Sequence, residues 1–309
     1  MKTLLHSVFL ETRYLERVIR LLPFALFLVS GPVLAEQLLP LKTTFQGAEK
    51  FQAVASKAVR ENWRALPMGD RMAKIALELE GTPYQSFTLE IDDRVESPSA
   101  NFQGQDCWTF FEICLGMARM LEFPKKAYPP GDLLDQIEWT RYRGGTCGGN
   151  YLDRIHYLAE WYIDNDQRGT VRDLTRSFPS QRMPPQCGEM TALWKHYRYL
   201  KENPELRAGM AQHEARLNQT PVFMIPKSQV AAIEAKLRNG DIIGIARHDH
   251  GSYCSHVGII IVDQAGKRRF MHASTTTKKV TIDSTISDYL NRFKKHAGIL
   301  VARPLPVKR

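Results

Sequence analysis

Cys107 stands where a polar loop gives way to an apolar, helix-spaced run, and His256 and His272 lie far downstream on what reads as one β-hairpin. A thiol at a helix start and two imidazoles on facing strands supply a cysteine nucleophile, its general base and the base's orienter. A helix N-terminus and a nearby imidazolium bring a thiol from a pKa of roughly 8.5 down to ~3.5–7.5. Backbone N–H groups left free in the first helical turn, that of Cys107 among them, offer a place for an oxyanion. Each residue alone has an ordinary alternative: a small buried hydrophobe for the cysteine, a hydrogen-bonded strand residue for the histidine. Only their convergence makes the chemistry.

Convergence depends on strand register. With Asp263 to Lys267 as the turn, Val262 faces Arg268, and His272 falls opposite Gly258 on the same face as His256. Alternation puts Cys254, His256, Gly258 and Ile260 on one face and Val257, Ile259 and Ile261 on the other. Gly258 leaves a gap between the imidazoles, and the start of the Cys107 helix is expected to pack into it. A slip of one residue would turn His272 away. In the helix, Phe110, Phe111, Cys114, Leu115, Ala118 and Leu121 form an i, i+3, i+4, i+7 stripe that Cys107 begins.

Around these elements the chain reads as helical first and stranded later. Helices are expected over Phe45 to Leu66 and Arg71 to Glu80, closed by Pro67 and by Gly81-Thr82-Pro83. Residues 126–215 read as helices and loops inserted into the same unit, and Ser228 as the cap of a helix from Gln229 to Arg238 ending at Asn239-Gly240. Strands follow at Asp241 to Ala246, Ser255 to Val262, Arg268 to Ser274, Lys279 to Ile282 and Gly298 to Arg303. The expected class is α+β, with the nucleophile helix packed on an antiparallel sheet.

Arg13, Arg17 and Arg20, the apolar run Leu21 to Val29 and the small residues before Glu36 have the order of a cleavable secretory signal over residues 1–35, with residues 36–309 as one catalytic domain. The chain carries +9; removing four basic and two acidic residues with that segment leaves +7, with no basic block to suggest nucleic acid. An exported protein with five cysteines has at least one left over. With Cys107 as the free thiol, Cys147 and Cys187 in Gly- and Pro-rich loops are the favoured disulfide, and Cys114 is a buried thiol. His248, His250, Cys254 and His256 offer a competing zinc ligand mix, though without paired spacing and with Asp249 suited to solvent.

Three stretches carry a family likeness: Asp106-Cys107-Trp108-Thr109-Phe110, Ser255-His256-Val257-Gly258-Ile259 and Met271-His272-Ala273-Ser274. Together with Gly81-Thr82-Pro83-Tyr84, Arg141-Tyr142-Arg143-Gly144-Gly145, Arg154-Ile155-His156-Tyr157 and Ser287-Asp288-Tyr289-Leu290, the sequence resembles the NlpC-type papain-like cell-wall hydrolases, over about residues 70–305. It is closest to their N-acetylmuramoyl-L-alanine amidase-like branch.

The resemblance implies a papain-like (NlpC-type) fold, a Cys107–His256–His272 triad, peptidoglycan or muropeptide fragments as substrate, and no metal or organic cofactor. It also implies a tyrosine near the nucleophile, at Tyr84. Trp108 departs from the small hydroxyl residue usual after the nucleophile, and Phe178 to Thr220 fits the pattern poorly. Candidate substrate contacts are Tyr84, Asp106, Trp108, Arg154, Tyr157 and Ser255. Of these, Arg154 reads as a fork for a stem-peptide carboxylate, Tyr157 as a cleft wall or helix core, and Asp106 as a ligand anchor or helix cap. The implied reaction cleaves the amide between the lactyl group of N-acetylmuramic acid and L-Ala. The alternatives are cleavage between D-Glu and the third stem residue, or wall binding without catalysis.

Overall fold

The computed structural model describes residues 38–249 and 251–308. The expected signal segment and His250 lie outside them. Helices α1 (Ala48–Arg60), α2 (Met68–Glu78), α3 (Cys107–Met120), α4 (Pro130–Arg141), α5 (Leu158–Gln167) and α6 (Leu206–Gln219) precede most of the sheet. The eight strands of the main sheet are β1 (Val171–Asp173), β2 (Gln181–Arg182), β3 (Phe223–Pro226), β4 (Ile242–Ala246), β5 (Cys254–Val262), β6 (Arg268–Ser274), β7 (Lys279–Thr285) and β8 (Gly298–Pro304). They pair antiparallel in the order β2-β3-β8-β4-β5-β6-β7, with β1 pairing the far end of β8. The α7 (Lys227–Ile233) and α8 (Ile286–Asn291) helices complete the fold.

The sheet separates two apolar layers, as alternation along strands buried on both faces requires. One layer joins Val257, Ile259, Ile261, Met271 and Ala273 to Phe110, Phe111, Leu115 and the other large helices. The other places Ile243, Ile245, Ile260 and Phe270 under α7 and α8. Helix α3 therefore lies on the Val257 face, and every residue from Thr109 to Met120 is buried, Glu112 and Arg119 included. The single apolar stripe read from the sequence was too narrow. A helix enclosed by a sheet, α2 and α4 buries its whole circumference.

The hairpin register is the expected one, with Val262 opposite Arg268 and Ile259 opposite Met271, which carries His272 to the level of Gly258. Two other expectations fail. Between β4 and β5 the register shifts, so that Ile245 faces His256 while Ala246 faces Cys254. One extra residue, Ser255, is absorbed as a bulge and turns Cys254 onto the α3 side, against Gly244. The gap at Gly258 is also filled from within the sheet: a Cβ there would lie 2.5 Å from the Met271 carbonyl oxygen and 2.6 Å from the Phe270 ring. No helix seats in it.

Other expectations need smaller corrections. The helix after β3 begins at Lys227 behind Pro226, without a Ser228 side-chain cap. All five cysteines are free: Cys147 donates to the Glu96 carbonyl, while Cys187 donates its N–H to Asn218, so the expected disulfide is absent.

Candidate active site

The first turn of α3 is built by its cap. Asp106, in extended backbone, accepts the Thr109 N–H at 2.8 Å through Oδ1, and the Thr109 hydroxyl accepts the Asp106 N–H at 3.1 Å. Thr88 donates its hydroxyl to the other carboxylate oxygen at 2.8 Å. This reciprocal capping fixes where the helix starts, and so where Cys107 projects. The carboxylate thus takes the capping role.

Backbone N–H groups of Val257, Cys107 and Trp108 are directed at the Cys107 sulfur and favour its thiolate. Val257 follows His256 directly, so the thiol meets the sheet beside the predicted base. Burial is the stronger influence and, with the Asp106 charge, pushes the thiol up to about 12. The low value expected for a helix-start thiol is therefore not met. A buried sulfur beside a carboxylate keeps its proton despite the N–H groups.

His256 points to the Phe270 side of the sheet, where its Nε2 lies 2.7 Å from His272 Nδ1. Burial, then the neighbouring His272 and His296, holds His256 well below the usual imidazole range. Burial also lowers His272, to about 4, against the raising influence of Asp283. Phe270 stacks on the His272 ring at 4.8 Å, and Tyr289 of α8 closes the pair edge-on at 5.2 Å. Thiol and both rings are thus uncharged at rest.

Cys107 and His256 line one cavity of about 280 Å³, together with Asp106, Trp108, Arg154, Tyr157 and Ser255. Seven of the nine predicted site residues therefore share a wall. His272 stands behind His256, only 2% exposed. Tyr84 is off the wall but near Cys107 and Asp106, and burial, chiefly, raises its phenol to about 12. The rim carries Phe87, 60% exposed with φ +58°, a left-handed backbone that non-glycine residues seldom adopt.

Two wall residues have their polar groups engaged within the protein. The Arg154 fork is occupied internally, donating to the Leu89 carbonyl at 2.9 Å and Glu90 Oε1 at 2.6 Å, with the Tyr151 ring 4.7 Å below. Tyr157 donates to Glu214 at 2.5 Å and accepts the Met190 N–H, so it presents ring carbon and not hydroxyl. Asp249 pairs with Arg247 and Lys295, as its reading as a solvent-facing charge anticipates.

Three further residues at the site are not among those predicted from the sequence. Glu90 and Glu189 line the cavity and look like surface charges in the sequence. Asp283 lies with Oδ2 3.6 Å from His272 Nε2, anchored by Arg292 at 2.6 Å. It falls two residues beyond Thr281, the partner of His272, and so shares that face by alternation, next to a bulge in β7.

The site thus sets a helix-start thiol against an antiparallel sheet that carries paired histidines. Residues 74–299 match the family model described as N-acetylmuramoyl-L-alanine amidase-like, and the chain belongs to that family of amidase-like peptidoglycan hydrolases. It is similar to a solved N-acetylmuramoyl-L-alanine amidase from Bacteroides uniformis ATCC 8492, with 28% identity and a TM-score of 0.69 over 77% of this chain and 99% of that one. A Bacteroides fragilis protein, provisionally described as a xylanase, is 31% identical with a TM-score of 0.66, over 74% and 98% of the two chains. A Legionella pneumophila protein shares the fold at 20% identity, with a TM-score of 0.60 over 84% and 96%. No curated protein matches the chain.

Proposed function

We propose that the protein is an exported, cysteine-dependent N-acetylmuramoyl-L-alanine amidase of the NlpC papain-like type, acting on peptidoglycan or its fragments. One observation carries the reading: a capped helix-start thiol and a histidine line the same cavity, and that histidine is bonded to a second one at 2.7 Å. The family and the Bacteroides uniformis amidase supply the substrate class. The N-terminal basic, apolar and small-residue segments support export.

Chemistry follows from the resting state. His256 Nε2 is engaged by His272, so Nδ1 is the nitrogen left to take the Cys107 proton. Neither group ionises alone in a buried site, but proton transfer makes a thiolate and an imidazolium together, each stabilising the other. The sulfur attacks the lactyl carbonyl, and N–H groups at the start of α3 receive the oxyanion. His256 returns its proton to the L-Ala nitrogen, which leaves as the free amine. Water, deprotonated by the same ring, then hydrolyses the muramyl thioester.

Digestion of purified muropeptides with product masses tests this reading. Disaccharide released with an intact stem peptide, and no release by Cys107→Ala, is the expected result. An L-Ala–D-Glu fragment on the sugar would assign the D-Glu bond instead. Binding without turnover by the native protein would leave only a wall-binding role.

A further inference from the structure

We infer that Asp283 is a positioning residue that selects, through His272, which nitrogen of His256 carries the proton; this rests on His256 acting as the base. The Nε2–Nδ1 bond between the rings holds a single hydrogen, and two neutral arrangements satisfy it. In one, His256 donates and keeps Nδ1 as a lone pair, ready for the thiol. In the other, His272 donates, so His256 bears its hydrogen on Nδ1 and accepts no proton from sulfur.

Nothing in the ring pair distinguishes these arrangements; the decision lies at the far nitrogen. His272 Nε2 is buried and makes no hydrogen bond among the described residues. The nearest charge is the Asp283 carboxylate at 3.6 Å. A lone pair turned toward that anion is repelled, and an N–H is attracted. The hydrogen therefore sits on His272 Nε2, Nδ1 accepts from His256, and His256 Nδ1 is free.

Asp283 keeps its charge for this purpose, because Arg292 holds its carboxyl below the usual range and the Ser284 N–H donates to Oδ1 at 2.5 Å. The groups that face the ring pair are Cys107, Asp283 from β7, Tyr289 from α8, Arg292 just past its end, and His296 beyond them. Among these, Asp283 is the anion at rest. Asp283 shares the His272 face because it lies two residues beyond Thr281, the strand partner of His272.

Nitrogen-15 NMR of labelled histidine reads the arrangement directly. The native protein is expected to show Nε2–H on both His256 and His272 at pH 7.5. In Asp283→Asn the carboxamide can donate to His272 Nε2, so both rings should switch to Nδ1–H, and kcat should fall by ~10²-fold or more with KM little changed, as for a wrong-tautomer base. Asp283→Glu should recover part of kcat. Nδ1–H on His272 in the native protein, or unchanged rings in Asp283→Asn, overturns the inference, and the native spectrum decides even where the variant fails to fold. A native protein that does not hydrolyse muropeptides sinks the amidase reading separately, since the ring protons are read without substrate.

Discussion

Glu112 of the Cys107 helix and Arg141 at the end of α4 form an ion pair at 2.8 Å, with neither side chain exposed to solvent. Arg141 also donates to the Ser99 hydroxyl and carbonyl, tying the loop ahead of the nucleophile to α4. Burial raises the Glu112 carboxyl, and Arg141 and Trp108 oppose that shift. Removing one partner leaves the other charge buried without compensation. Arg141→Ala should therefore cost about 3–5 kcal/mol, read from urea denaturation. A loss under ~1 kcal/mol would mean that water already reaches the pair.

The cap and the thiol can be separated at one position. Asp106→Asn keeps an effective N-cap but removes the anion that raises Cys107, so stability should change by less than ~0.5 kcal/mol. Alkylation of Cys107 by iodoacetamide at pH 8, followed by peptide mass mapping, should become several-fold faster. Asp106→Ala should show the same gain in rate with a loss of ~1 kcal/mol. An unchanged rate in both variants would assign the raised thiol to burial alone.

Acid should unfold the protein earlier than its carboxylates alone require. His156, His256 and His272 are all held below the ordinary imidazole value of 6.5 by burial, His272 at about 4. Between pH 6.5 and 4 the unfolded chain binds protons that the folded protein refuses. Stability is thus complete above pH 6.5 and falls as the pH drops toward 4, by up to ~1.4 kcal/mol per unit for each such histidine. Denaturation midpoints from pH 7.5 to 4.5 check this, and a flat profile across that range would contradict the buried neutral rings.

Gly258 should not accept a side chain. Its Cβ would press on the Met271 carbonyl oxygen and the Phe270 ring, both closer than 3 Å, and Phe270 supports the His272 ring. Gly258→Ala should cost about 1–3 kcal/mol through displaced β6 backbone. It should also lower muropeptide turnover more than binding, because the imidazoles part. Full kcat in a folded Gly258→Ala protein would show that their spacing has slack.

What the sequence displayed, and what it hid, follows from local against distant causes. The hairpin register was legible because a short turn fixes Val262 opposite Arg268 and period-two alternation does the rest. The start of α3 was legible because a polar cap precedes an apolar run. Neither bulge was, since the extra residues at Ser255 and beside Asp283 depend on how neighbouring strands twist. The buried charges Glu90, Glu96, Glu112 and Arg141 read as ordinary surface residues until α3, α4 and the 87–99 segment are folded together. Strand β3 was missed because it is four residues long and ends in proline.

The pairing of a protonated thiol with a neutral ring has a bearing on durability. Peroxide and similar oxidants attack sulfur anions far faster than protonated sulfur. With the Cys107 thiol pushed up to about 12, the idle protein exposes very little anion to such damage. Slow oxidation of the resting protein in an aerated medium is therefore expected, as a consequence of the same burial that shapes the site.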